Sequence, residues 1–219
     1  MVTNRAIGKV FDILRQAAPT WSAPVVTQMA TLSRDPYQVL IACLLSLRTK
    51  DETTGPAARR LFALADTPEK MLTLKPAEVE KAIYPVGFYK VKAQTVLDIS
   101  RAIVEQHGGR VPDEIDELLK LKGVGRKTAN LVVTLGYQKP GICVDTHVHR
   151  ISNRWGYVAT KTPEETEMAL RAKLPREHWL EINDLLVAMG QTICHPTSPK
   201  CSLCPIEQHC AKIGVVRSR

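Results

Sequence analysis

The chain reads as all-α, and three observations predict it. Apolar residues recur at i, i+3, i+4 and i+7 through most of its length, one face of a 3.6-residue period. Helix-start signals stand at the head of many of these segments. Alternating strand-like runs are nearly absent, and short apolar pieces such as 142–144 are too brief to build a sheet. With 219 residues, 44% apolar and 24% charged, usage is that of a folded globular chain and not of a disordered one. Neither an internal repeat nor a low-complexity segment interrupts it. The expectation is a many-helix assembly with short loops and a metal-bound C-terminal tail.

Element by element, Ile7, Val10, Phe11 and Leu14 make the first apolar face, and APTWSAPVV then breaks it with two prolines. Asp35-Pro36 is an N-cap followed by Pro at the first helical position, leading into the apolar YQVLIACLLSL. Thr49-Lys50-Asp51-Glu52 has the T-x-x-E form of a capping box and predicts another helix start. Further helices are expected over 68–74, 76–83, 90–107, 113–121, 126–137, 145–155, 163–173 and 178–192.

Charge and hydropathy exclude some classes of function. No apolar run approaches the roughly 20 residues that span a bilayer. The start, MVTNRAIGKVFDILRQ, lacks the apolar stretch of a secretory signal. The expectation is an intracellular, non-secreted protein, cytoplasmic or nucleoid-associated in a prokaryote. A net charge of +8 and a pI of about 9.3 suit a polyanionic partner, although a solvated Lys/Arg face would give the same balance.

Six cysteines fall into two groups. Cys43 and Cys143 stand alone in apolar stretches and read as small buried thiols. Cys194, Cys201, Cys204 and Cys210 form a C-x6-C-x2-C-x5-C run within seventeen residues. In a chain without an export signal, four such cysteines point to thiolate ligands in preference to disulfides. Zinc and an iron–sulfur cluster both take four thiolates. A zinc site typically uses two short knuckles, whereas here a single C-x2-C pair is flanked by wider gaps, a spacing that favours a [4Fe–4S] cube. Pro196, Pro199 and Pro205 stiffen the loop.

The most informative segment is DEIDELLKLKGVGRKTANLVVTLGY. Ile115, Leu118 and Leu119 face one way on a first short helix; Val124, Thr128, Leu131, Val132 and Leu135 line the next. Between them, Lys122-Gly123-Val124-Gly125 permits a tight turn and close backbone approach, presenting a helix start to an anion such as phosphate. From 118 to 144 there are five cations and no acid. An ordinary αα-hairpin, with glycines serving only the turn, is the competing reading.

LKGVGRKTAN, then VDTHVHR, then the C-x6-C-x2-C-x5-C run together resemble endonuclease III, of the helix-hairpin-helix DNA glycosylase superfamily. The resemblance covers nearly the whole chain. It implies two helical domains with a DNA-binding cleft between them: a six-helix domain over 29–139 carrying the hairpin, and a discontinuous domain over 1–28 plus 140–219 carrying a [4Fe–4S] cluster on Cys194, Cys201, Cys204 and Cys210. The implied activity is removal of oxidised or damaged pyrimidines from duplex DNA with strand nicking at the abasic site, by a monomer.

Lys127 and Asp145 stand where that family has its catalytic pair. An ordinary Lys titrates near 10.4, so about one in a thousand is neutral at pH 7.4; a nucleophilic lysine needs partial burial or neighbouring cations, such as Arg126 and Lys122. The resemblance implies attack by Lys127 on C1′ of a flipped nucleotide, with Asp145 stabilising the developing charge. From the residues alone, Lys127 reads as a phosphate contact and Asp145 as an N-cap. Lys122, Gly123, Val124, Gly125 and Arg126 are expected to meet DNA, and His147 and Arg150 to support the site or contact the backbone. Asp145, His147 and His149 also form D-x-H-x-H, a possible metal cluster, but HRISNRWG reads as helical and no second cluster completes a shell.

Arg48, in LLSLRTKD, and Phe88, in VGFYKVKA, occupy the positions at which the family fills the hole left by a flipped nucleotide. Arg48 replaces the common Gln, Phe88 a common Leu, and Lys122 a common Pro. The loop HPTSPK is less basic than a backbone-contacting loop should be. Two alternatives remain: a monofunctional mismatch glycosylase, disfavoured by Lys127, and a cluster-bearing DNA-binding protein without chemistry.

Overall fold

The computed structural model describes residues 1–21 and 25–219. Helix α1 (Ile7–Ala17) buries Ile7, Val10, Phe11 and Leu14, the expected face, and ends in a 3-10 turn over Ala18–Thr20. Of the two prolines read as a break, Pro19 lies in that turn, and Pro24 lies outside the described residues. Helix α2 (Val25–Ser33) follows. It was not anticipated, because the proline-rich stretch directly before it reads as loop.

Helix α3 (Pro36–Ser46) starts as its sequence predicts: Asp35 caps it, accepting from the backbone N–H of Tyr37 at 2.8 Å and Gln38 at 3.0 Å. Every residue from Val39 to Leu45 is buried, which marks a helix surrounded by packing and not one lying on a surface. It contacts α2, α4 (Asp51–Leu64), α7 (Tyr89–His107) and α9 (Arg126–Leu131). Between these run α5 (Pro68–Met71), α6 (Pro76–Ile83) and α8 (Ile115–Leu118).

The expected capping box at Thr49 does not form. Lys50 is the N-cap of α4, and Asp51 and Glu52 lie in its first turn, where they complement the helix dipole. The helix expected over 113–121 contracts to one turn at α8, and the one over 126–137 is α-helical only to Leu131 before a π-helical turn at Val132–Gly136. There Thr134 Oγ1 donates to the carbonyls of Asn130 and Leu131. Gly136 leaves no room for a side chain, since a Cβ would lie 2.9 Å from Pro36 Cα. Helices α10 (Thr146–Arg154), α11 (Pro163–Lys173) and α12 (Ile182–Thr192) complete the set. The segment 178–192 splits, His178 closing a 3-10 turn ahead of α12. There is no strand among the described residues.

The chain divides into two compact units, Met1–Pro24 with Ile142–Arg219, and Val25–Gly141. The first has its own core of Phe11, Leu14, Ile151, Trp155, Tyr157 and Leu186. The second is built on Leu40, Ile41, Leu61, Met71, Ile99 and Ile103, all essentially inaccessible.

Candidate functional site

In the Val25–Gly141 unit, α8 and α9 flank the glycine turn. Gly123 has φ +90, a conformation that a side chain resists, and Val124 buries its side chain while its N–H donates to Leu121. Gly125 is the N-cap of α9, and the space where its Cβ would stand is open. The backbone ahead of α9 is therefore approachable. Lys122 and Lys127 are exposed and Arg126 is half-buried. Lys127, on the first turn of α9, lies close enough to the Cys43 thiol for its charge to oppose the burial that pushes that thiol up to about 12.

Four non-glycine residues of the same unit lie in the left-handed region, Arg34, Arg48, Phe88 and Gln138, and two of them, Arg48 (φ 52) and Phe88 (φ 58), are the residues expected to enter DNA. Neither is a residue type that favours it, and such strain concentrates where structure serves function. Both are exposed, Phe88 at 63%, so Phe88 is not a core aromatic. The Arg48 guanidinium sits 5.8 Å from the centre of the Phe88 ring, within cation–π range. The backbones touch: a Cβ on Gly87 would lie 2.7 Å from Arg48 O. Thr49, read as a cap, instead accepts from Gly87 N, and Lys92, which carried no signal in the sequence, donates to the carbonyls of Leu45 and Leu47.

In the other unit, Asp145 caps α10, its Oδ1 accepting from His147 N at 2.8 Å and Val148 N at 2.9 Å. His147 Nδ1 lies 3.1 Å from Arg150 Nη2, while His149 Nδ1 meets Thr166 Oγ1 at 2.7 Å. The two imidazoles thus serve different neighbours. No three His, Cys, Asp or Glu side chains among the described residues converge on one metal-ion position, which removes the D-x-H-x-H metal reading. Arg150 turns inward and donates to the carbonyls of Cys194 at 2.8 Å and Gly190 at 3.5 Å. A Cβ at Gly190 would lie 2.2 Å from His147 Nδ1, so any side chain there forces the imidazole to move.

The cysteines divide as expected: Cys43 and Cys143 are buried apart from the other four, and none of the six is in a disulfide. Cys194, Cys201, Cys204 and Cys210 line one cavity with Met189 and Ile193. Burial first, and then the charges of the other three thiols, push Cys204 up to about 12. The buried Arg154 holds the loop, donating to Cys194 Sγ at 3.3 Å, His195 O at 2.7 Å and Pro196 O at 2.6 Å. No sequence signal marks Arg154 for this role, nor Arg219, whose N–H donates to Pro199 O and whose carbonyl accepts from Ser202 N. That pairing brings one further cation, Arg219, to the HPTSPK loop.

Residues 41–176 match the model of a family described as HhH-GPD superfamily base excision DNA repair protein. The chain belongs to the HhH-GPD superfamily. Among HhH-GPD relatives, Endonuclease III of Thermotoga maritima is 51% identical over 80% of this chain and 83% of its own length. Endonuclease III of Bacillus subtilis is 37% identical over 80% and 81%. Endonuclease III homolog 2 (chloroplastic) of Arabidopsis thaliana is 42% identical over 92% of this chain, which spans about half of that longer protein, 56%. A solved non-covalent Endonuclease III–DNA complex superposes with a TM-score of 0.84 at 32% identity, covering 97% of each chain. A trapped Endonuclease III–DNA covalent intermediate gives the same values.

The close approach at Gly190 is testable. Gly190→Ala should destabilise the protein by about 1–3 kcal/mol, the usual cost of overpacking, as a lower midpoint in denaturant unfolding. An unchanged midpoint would mean that His147 and Arg150 give way freely.

Proposed function

We propose that the protein is a base-excision DNA glycosylase that removes damaged pyrimidines from double-stranded DNA and then cuts the strand by β-elimination through a lysine Schiff base. The observation that carries this reading is Lys127, exposed in the first turn of α9, two residues past the open backbone at Gly125, in a chain of the HhH-GPD superfamily. The turn presents backbone N–H groups and Lys122 to a phosphate. The target nucleotide must leave the stack, because C1′ is shielded in paired DNA.

The neutral Lys127 amine attacks C1′ as the glycosidic bond breaks, and the base departs with the bonding electrons. Asp145 stabilises the positive charge that develops on the sugar and takes up the proton that the amine sheds. Ring opening leaves an imine between Lys127 and C1′. Loss of a C2′ proton then expels the 3′ phosphate, and water releases the enzyme. Arg48 and Phe88 fill the vacated stack. A monofunctional mismatch glycosylase would need no amine at position 127, so Lys127 favours the bifunctional reading.

The four thiols fit a [4Fe–4S] cluster. Gathering four half-buried thiolates is costly, since burial and the neighbouring thiolate charges both push Cys204 up; a multivalent iron core offsets that cost. Their arrangement around a cavity, with no three donors converging on a single-ion position, suits the separated corners of a cube better than a zinc ion. Bound there, the cluster supplies a covalent cross-link for the loop.

Borohydride should trap the protein covalently on duplex DNA carrying an abasic or oxidised-pyrimidine site, with the adduct mapping to Lys127 by peptide mass. Lys127→Ala should abolish it, and a variant that still nicks at the normal rate would remove the lyase assignment. Asp145→Asn separates capping from chemistry, because Asn caps as well as Asp. The thermal midpoint and DNA affinity should hold while single-turnover base release slows by about 10²–10⁴-fold; an unslowed variant would leave Asp145 only a cap. Chemical analysis of the purified protein should return equal iron and acid-labile sulfide, both lost in Cys204→Ser. Stoichiometric zinc in their place would overturn the cluster.

A further inference from the structure

Three hydrogen bonds converge on one buried ammonium in the Val25–Gly141 unit. Lys92, in the first turn of α7, donates from Nζ to Leu45 O at 2.8 Å, to Leu47 O, and to Thr49 Oγ1 at 3.1 Å. An ammonium has three donors and all three are used. The two carbonyls belong to the end of α3, where helix carbonyls lack intrahelical partners and a cation is favoured.

Thr49 carries the connection onward. Its hydroxyl donates to Leu47 O and accepts from both Lys92 Nζ and Gly87 N, the last at 3.2 Å. One donor and two acceptor positions are thereby all occupied. Gly87 precedes Phe88, and Leu47 precedes Arg48. Each left-handed tip therefore follows a residue held by this network, and Gly87 packs directly against Arg48 O. Burial alone draws the Lys92 pKa down to about 8. The cation is thus held by neutral oxygens, with no carboxylate compensating it.

We propose that Lys92 is a positioning residue that locks the Arg48 and Phe88 tips into one preformed wedge, so that both enter the opened duplex together. The proposal rests on the glycosylase reading for what the wedge does, but not for how it is held. Two strained tips moving independently would each lose conformational freedom on entering DNA. A wedge already ordered in the free protein avoids that loss at the moment of flipping.

Two measurements on the full chain test this. In hydrogen–deuterium exchange, Lys92→Met should raise amide exchange by about tenfold in both 45–49 and 84–89, leaving the second half of α7 unchanged. In single-turnover base release from a duplex containing dihydrouracil, Lys92→Met should slow the reaction by about tenfold or more. In an Arg48→Ala, Phe88→Ala background the same change should add less than about twofold, because there is no wedge left to position. A merely structural lysine would cost the same in both backgrounds. Thr49→Val removes the shared hydroxyl and should reproduce both patterns, deciding the matter should Lys92→Met fail to fold. Faster exchange confined to 45–49, or losses that add in full, would overturn the wedge. Wild-type protein that releases no base would sink the glycosylase reading, while the exchange pattern still decides the clamp.

Discussion

The backbone groups stranded at helix ends are the constraint on which this structure turns. A helix leaves N–H groups unpaired at its start and carbonyls unpaired at its finish. All regular structure among the described residues is helical, so the chain has many such ends to satisfy. Each feature of the candidate site answers one of them. Asp145 satisfies the start of α10, Lys92 the finish of α3, and Arg150 and Arg154 the carbonyls that follow α12. At Gly125 the chain instead leaves the approach open, which is what a phosphate-binding turn requires. Chemistry in this fold is capping put to a second use.

Buried cations are the second theme. Lys92 and Arg154 are both nearly inaccessible, yet their partners are carbonyl, hydroxyl and thiol groups and not carboxylates. A carboxylate partner could be exchanged or screened as conditions change, whereas backbone oxygens are fixed in place by the fold. Such a cation reports on the shape of a loop and not on its charge. Both sit under loops that must keep an irregular form: the Arg48 and Phe88 tips in one unit and the cysteine loop in the other.

Much of this was legible in the sequence where one local rule governs one local feature. Asp35-Pro36 named its helix start, the faces of α6 and α11 fixed their limits, and G-V-G marked the turn that Gly123 makes at φ +90. Reading failed where distant contacts set the outcome. Thr49-x-x-Glu52 has the form of a cap, yet the hydroxyl is taken by Gly87 and Lys92, some forty residues away. The π-helical turn ends at Gly136, which fits closely on Pro36, a contact that no window of adjacent residues contains. For Arg150, expected to support the site or contact the backbone, the charge is visible in the sequence and the acceptors, Gly190 O and Cys194 O, are not. A surface and an interior arginine read alike in a sequence.

Helix α10 joins two of these ends along a single rod. At its start stands Asp145; on its side, one turn apart, Arg150 and Arg154 grip the chain around Cys194. Nine helical residues rise about 13 Å and bend little, so the helix behaves as a strut. The carboxylate at one tip is only as steady as the sulfur-bearing loop at the other. Oxidative damage to those cysteines would then reach the Asp145 carboxylate, and on the proposed mechanism the sugar it serves, mechanically, with no electron passing between them.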